Sequence, residues 1–196
     1  GVCDAILTAD DILPTGLDSW TFRNPVTDGS GVNDVSFGPD GFVAVGDSGK
    51  VLVSTDGRNW EERGALENDG SPVTEDLLGV AYGNGRYLAV GGQKLLSSTN
   101  SIEWNVITTW TVPVNSVTFA DNRFVVTGDA SHIFYSSDGL SWFGGAVNGI
   151  HDPAPLRDVA FDPDARLWFA VGDSSIFVIS PLEEEEMTQI FRSTDG

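Results

Sequence analysis

Four stretches of the chain superpose on one another and close on an apolar-x-aromatic step. They are Val32-Asn33-Asp34-Val35-Ser36-Phe37, Leu77-Leu78-Gly79-Val80-Ala81-Tyr82, Val114-Asn115-Ser116-Val117-Thr118-Phe119 and Leu156-Arg157-Asp158-Val159-Ala160-Phe161. A period of two puts the valine and the aromatic on one face, as a half-buried strand requires. Each stretch runs into Gly38-Pro39-Asp40-Gly41, Gly83-Asn84-Gly85, Ala120-Asp121-Asn122 or Asp162-Pro163-Asp164-Ala165, residue types that accept the positive φ of hairpin turns. A second run then returns: Phe42-Val43-Ala44-Val45-Gly46, Tyr87-Leu88-Ala89-Val90-Gly91, Phe124-Val125-Val126-Thr127-Gly128 and Trp168-Phe169-Ala170-Val171-Gly172. These are apolar on both faces, which predicts strands enclosed between neighbouring sheets. Third strands are expected over 51–54, 95–98, 133–136 and 176–180, and fourth strands from about Trp60, Trp104 and Trp142 onward.

Between third and fourth strands a phrase recurs. Ser54-Thr55-Asp56-Gly57-Arg58-Asn59-Trp60 is matched by Ser136-Ser137-Asp138-Gly139-Leu140-Ser141-Trp142 and, more loosely, by Ser98-Thr99-Asn100-Ser101-Ile102-Glu103-Trp104. A unit of roughly 40 residues repeats, within the range of propeller blades. Four antiparallel strands per unit predict an all-β chain, a β-propeller of about four to five blades, some of them partial. A two-sheet sandwich is the alternative, but it would not need the same turn chemistry at the same point of each unit. One propeller is expected over 1–196, with a partial blade at 1–30, blades at 31–66, 77–110 and 114–147, and an incomplete one at 156–196.

The ends of the pattern are uneven. Residues 5–10 followed by Trp20 resemble a third strand and its turn with an inserted loop, and Ile190-Phe191-Arg192-Ser193-Thr194-Asp195-Gly196 restarts the phrase without its Trp. Glu183-Glu184-Glu185-Glu186 reads as a solvated hairpin insertion. Either terminal strands pair to close a small ring, or the chain is a fragment of a longer protein; the fragment is the expectation. An unclosed propeller would expose edge strands that need a partner chain or further blades.

Val45-Gly46-Asp47-Ser48-Gly49-Lys50-Val51-Leu52-Val53-Ser54 with its following phrase to Trp60 resembles the repeat of the BNR/Asp-box superfamily, particularly proteins similar to photosystem II assembly factors. The run from Gly79 to Gly91 is similar to repeats in bacterial secreted and phage tail-associated proteins. These copies are a shortened variant, because the sialidase-type box has one more residue between Asp and Gly. The resemblance implies a propeller and leaves function open.

The phrase has a local physical logic. An Asp carboxylate in a turn accepts hydrogen bonds from nearby backbone N–H groups, Gly takes a dihedral that other residues resist, and a Ser hydroxyl and a Trp indole bracket the turn. Ser54, Asp56, Gly57, Trp60, Ser98, Asn100, Trp104, Ser136, Asp138, Gly139 and Trp142 are therefore expected to be structural. Asn100 supports that reading, since it mimics the acceptor but replaces the charge poorly.

Charge narrows the partners. With 29 Asp and Glu against 10 Lys and Arg, the formal net charge is -19, which repels phosphate backbones and anionic lipid. Nucleic acid and membrane insertion are not expected; protein partners are, with a larger assembly as one setting, and a glycan is a second option. Cys3 is the sole cysteine, so no intrachain disulfide is available.

A sialidase-like reaction needs an arginine cluster, a Tyr nucleophile and separate acids. Arg58, Arg86, Arg123 and Arg166 fall in or beside hairpin turns, only Arg157 lies in an inner-strand segment, and Tyr82 and Tyr135 stand at packing positions. His132 and His151 lack a Ser or Cys partner in a recognisable elbow. Neither cofactor nor metal is expected. One constellation remains: Asp47, Asp129 and Asp173 follow the second strand in three units, with Gly92 in the fourth. They form either a loop-face ring for a cation or basic group, or simple turn caps.

The reading from sequence is a non-catalytic propeller serving as a structural or binding module in an extracellular or virion-associated assembly. The alternatives are an assembly-factor-like chaperone of a membrane complex, in a periplasmic or thylakoid-lumen-like compartment, and a sialidase-like glycoside hydrolase.

Overall fold

The computed structural model describes residues 6–8, 21–23, 30–147, 153–173 and 176–179. The chain is a β-propeller. Its first complete blade is a meander of β3 (Val32–Gly38), β4 (Gly41–Gly46), β5 (Lys50–Ser54) and β6 (Glu61–Leu66). The second comprises β7 (Gly79–Gly83), β8 (Arg86–Gly91), β9 (Lys94–Ser98) and β10 (Trp104–Thr109), and the third β11 (Val114–Ala120), β12 (Arg123–Gly128), β13 (His132–Ser136) and β14 (Phe143–Ala146). In the fourth, β15 (Leu156–Asp162), β16 (Leu167–Gly172) and β17 (Ile176–Ile179) are described. Ahead of them β1 (Ile6–Thr8) pairs antiparallel with β2 (Thr21–Arg23). Within each blade neighbouring strands are antiparallel. The outer strands β6 and β10 also meet in a short parallel bridge, Trp104 opposite Ala65.

Each blade places its hairpin turn and its Ser-x-Asp turn on one rim, here called upper, because successive strands reverse direction. The innermost strands β3, β7, β11 and β15 stand side by side around the axis. The alternation read from sequence explains how they pack. Val80 joins Val43, Val45 and Val51 of the blade before it, with Ala65 and Trp104. Val117 and Phe124 meet Leu88, Val90 and Leu95; Val159 meets Val125, Ile133 and Tyr135. β4, β8 and β12 have buried residues on both faces, which is why they are apolar throughout, whereas in β16 Val171 is 40% exposed.

Tyr82 and Phe119 each cover the glycine that ends the inner strand before their own. A Cβ on Gly38 would collide with the Tyr87 hydroxyl and the Tyr82 ring, and one on Gly83 would fall inside the Phe119 ring. Bulk is excluded there by packing. The first blade differs: Val35 is 47% exposed, whereas its counterparts Val80, Val117 and Val159 are buried.

The segments between blades hold the opposite, lower rim. Leu77 N–H donates to the Gly46 carbonyl at 3.0 Å and Val114 N–H to the Gly92 carbonyl at 2.7 Å. Lys94 reaches both Glu67 and Glu75, which lie on the connection from the first blade.

Gly83→Ala is expected to lower unfolding free energy by about 1–3 kcal/mol, because the added methyl must displace the Phe119 ring. Gly64→Ala, where nothing lies within 4 Å, is expected to stay within about 0.5 kcal/mol. Urea unfolding of the two variants, followed by tryptophan fluorescence, checks the pair; equal losses would refute the packing argument.

Candidate functional site

Three places gather polar side chains: the turns of the upper rim, the ends of the second strands at the lower rim, and the axis. In the first Ser-x-Asp turn, Asp56 Oδ1 accepts the N–H groups of Arg58 and Asn59, both at 2.8 Å, while Ser54 Oγ accepts Gly57 N–H at 2.8 Å and donates to Asp56 at 3.1 Å. The indole of Trp60 folds back to donate to the Gly57 carbonyl at 3.2 Å. The third turn repeats this with Asp138 accepting Leu140 and Ser141 N–H, and Ser136 bridging Asp138 and Gly139. In the second turn Asn100 Oδ1 accepts the N–H groups of Ile102 and Glu103 at 3.1 and 2.9 Å, and Ser98 donates to it.

Gly57 and Gly139 have φ of 68° and 73°, and Ser101 takes the same left-handed geometry at 59°. Trp104 donates to the Ser101 carbonyl at 2.9 Å. Trp142 makes no such bond; it stands edge-on to Trp110, whose ring stacks on Phe134. The backbone N–H groups, first of Asn59 and then of Arg58, hold the Asp56 carboxyl well below its ordinary range. Those of Ser141 and Leu140 hold Asp138 down to about 2.

At the lower rim the register of the first strand pair slips once, between Val32 and Asp34, Val114 and Ser116, and Leu156 and Asp158. The extra residue of each bulge is Asn33, Asn115 or Arg157, and each binds the aspartate that follows the second strand of its own blade. Asn33 donates to Asp47 at 3.2 Å, Asn115 to Asp129 at 2.9 Å, and Arg157 clasps Asp173 through two bonds of 2.9 and 2.8 Å. Asp47 also accepts Gly31 N–H. The two asparagines reach one blade further, to the Leu77 and Leu156 carbonyls.

Blade two has Gly92 in place of the aspartate, and its first pair runs in unbroken register. Asp47, Asp129 and Asp173 each have a side-chain partner within their own blade, as turn caps do. Among the described residues no group of three or more His, Cys, Asp or Glu is arranged to hold a metal ion.

The axis holds what sequence reasoning missed. Because β3, β7, β11 and β15 are sheet edges, their outward backbone groups need partners, and the neighbouring inner strand supplies side chains. Asp34 accepts Val80 N–H at 2.8 Å and Ser36 Oγ accepts Tyr82 N–H at 3.1 Å. Ser116 donates to Asp158 at 2.9 Å, and Thr118 to the Val159 carbonyl at 2.9 Å. These residues line an axial cleft of about 280 Å³. Burial pushes the Asp34 carboxyl up, opposed by the N–H groups of Val80 and Val35, with the Asp158 charge adding to the rise. The recurrence of a polar residue just before each inner valine, Asp34, Ser116 and Asp158 with Gly79 in blade two, was the available sign.

The larger opening lies on the upper rim between blades one and two. It measures about 600 Å³ and is lined by the first hairpin turn, the Ser-x-Asp turns of both blades, Val53, Glu61 and Arg63. Phe37 at its edge is 67% exposed and Ile102 52%. Where the later junctions lie on this rim, side chains cross them: Asn84 donates to the Ser137 carbonyl at 2.9 Å, and Arg166 clasps Asp121.

Comparison with known proteins gives the fold its context. No family model matches this sequence, and no curated protein does. The chain is similar to the solved structure of YCF48 from Cyanidioschyzon merolae, with 17% identity, a TM-score of 0.63, and coverage of 82% of this chain and 56% of that one. It is similar to YCF48 bound to D1 peptide, at 17% identity and a TM-score of 0.64, over 81% of this chain and 55% of that one. A third likeness is to the WD40 β-propeller domain of Doa1, at 14% identity, a TM-score of 0.53, and coverage of 79% and 56%. The chain spans little more than half the length of these structures. The likeness is one of propeller fold.

The initial turn around Trp20, the final phrase copy, Glu183 to Glu186, His151 and Cys3 lie outside the described residues. His132 has its Nδ1 within 2.9 Å of the Asp129 carbonyl and its ring beside Phe134, a contact with its own loop.

The turn carboxylates carry a pH signature. A folded-state pKa below the ordinary 3.8 means their contribution to stability is fully present above about pH 4 and is lost as the pH falls toward 2. Asp56→Asn/Asp138→Asn keeps the acceptor, as Asn100 does, and removes the titration. Thermal melts between pH 2 and 5 are expected to show a shallower acid loss for the double variant than for the parent chain. Parallel curves would show that these carboxylates do not contribute.

Proposed function

We propose that the chain is a non-catalytic, protein-binding propeller module that works through its upper rim. The observation that carries this is the open inter-blade groove of about 600 Å³, edged by exposed Phe37 and Ile102. Exposed apolar residues around a concave, polar-lined opening are the usual mark of a recognition surface. YCF48 bound to D1 peptide is an instance of a similar fold engaging a peptide. Membership of the Asp-box superfamily, and residence in an extracellular or virion-associated assembly, belong to the same proposal and rest on the resemblance of the repeats.

A glycoside hydrolase reading gains no support from the axis. The described lining of the axial cleft includes no arginine, and Arg157 is held by Asp173. An assembly-factor-like chaperone is the second reading. It rests on the resemblance of the repeats to those of photosystem II assembly factors.

Cross-linking of the full chain to material from its native source, followed by mass spectrometry, tests the main reading. Cross-links from a defined protein to upper-rim residues are expected. Binding to a glycan array with no protein partner, or turnover of an umbelliferyl glycoside, would overturn it. A chaperone would release its partner once a membrane complex is complete, whereas a structural module would remain in the finished assembly.

A further inference from the structure

At the upper rim the junction of blades one and two has the Tyr87 hydroxyl donating to the Gly41 carbonyl at 3.5 Å, but lacks the turn-to-turn clasp of the next junction. At the junction of blades two and three, Asn84 sits in the hairpin turn and donates to the Ser137 carbonyl of the next blade's Ser-x-Asp turn. Pro39 occupies the equivalent place in the first blade, between β3 and β4. Proline has no backbone N–H and no side-chain donor, so the turn of blade one cannot make that bond to the turn around Asn100. The two turns stand apart, and the space of about 600 Å³ opens between them.

Of its charged lining, Glu61 and Arg63 are paired with one another, which leaves the Asp40 carboxylate as the uncompensated charge. Ile102 projects from the tip of the second turn and is 52% exposed. Asn100, in the place of the aspartates at 56 and 138, leaves its amide NH₂ for a partner, since its Oδ1 takes the turn N–H groups. The Asp40 carboxylate on a chain of net charge -19 complements a basic side chain, and the Ile102 and Val53 surfaces complement an aliphatic or aromatic one.

We infer that the groove between blades one and two takes an extended peptide segment of a partner protein carrying a Lys or Arg next to an apolar residue. This rests on the protein-binding reading and deepens it by naming the groove and the class of ligand. The basic group lies against Asp40. The apolar residue covers Ile102, and the Asn100 amide donates to a peptide carbonyl, as suits extended-segment recognition in which the backbone gives affinity and alternate side chains give specificity.

The test uses the full chain and a random heptapeptide library displayed on phage. Enriched sequences are expected to pair Lys or Arg with an aliphatic or aromatic residue. Fluorescence anisotropy with an enriched, labelled heptapeptide then compares the parent chain with Ile102→Asp, Asp40→Lys and Leu140→Asp. Ile102→Asp and Asp40→Lys are expected to weaken binding about tenfold or more. Leu140→Asp, at the corresponding exposed tip of the third turn and outside the groove, is expected to leave it within about twofold.

All these positions are exposed or in turns, and unchanged melting temperatures establish that the variants fold. Peptides that bind the groove variants as tightly as the parent would overturn the groove assignment while leaving protein binding elsewhere intact. Enrichment of acidic sequences, or of none, would overturn it as well; the wider protein-binding reading falls only if the cross-linking experiment also returns no partner.

Discussion

Everything in this molecule depends on blades that share almost no backbone ladder: among the described strands only the short parallel pairing of β6 with β10 joins one blade to the next. Each meander ends inward on an edge strand, and the next blade presents another edge beside it. Cohesion therefore comes from face-to-face burial, in which the valine and aromatic of one inner strand sink into the second and third strands of the blade before. Val80 against Val43, Val45 and Val51 is the pattern, and Val117 and Val159 repeat it. At roughly 25 cal/mol per Å² of apolar surface removed from water, such repeated burial outweighs any single polar contact in the structure.

Burial has no direction, so something else must set the angle between blades. Two sets of side-chain bonds do this. Around the axis, Asp34, Ser36, Ser116 and Thr118 tie neighbouring inner strands together. At the lower rim, Asn33 and Asn115 each sit in a bulge, bind an aspartate of their own blade, and reach a carbonyl of the next. A bulge frees one residue from the ladder and re-aims its side chain, and here it aims at the neighbour. The rule holds within the chain itself: the blade with glycine at position 92 lacks both the aspartate and the bulge.

This division of labour locates the adaptable surface. The lower rim and the axis have their polar groups engaged in holding blades together, and Asp47, Asp129 and Asp173 are as occupied as the turn aspartates. The upper rim is braced within each turn by Ser, Asp and Trp, yet the turns of adjacent blades are joined only where a suitable residue happens to reach across. Asn84 and Arg166 do so, and Pro39 does not. A rigid turn beside an unclasped gap is a sound basis for recognition, because the contact residues are already ordered and little entropy is lost on binding.

Much of the fold was legible in the residues themselves. Period-two alternation, hairpin residues and the recurrent Ser-x-Asp phrase each report on neighbours close in sequence, so the inner strands, the returning apolar strands and the turns could be read directly. Asn100 standing for aspartate even indicated that the turn needs an acceptor more than a charge. What lay hidden depends on contacts some 46 residues apart, such as Asp34 with Val80 and Ser36 with Tyr82. Alternation says which face a side chain occupies, but it does not say which blade stands opposite. The three second-strand aspartates could be read as a converging ring or as turn caps for that reason, and the loss of a clasp at Pro39 was invisible until Asn84 was seen crossing to Ser137. The sequence by itself determined the blade; only the tertiary structure decided how blades meet, because that is settled by partners that the local pattern does not encode.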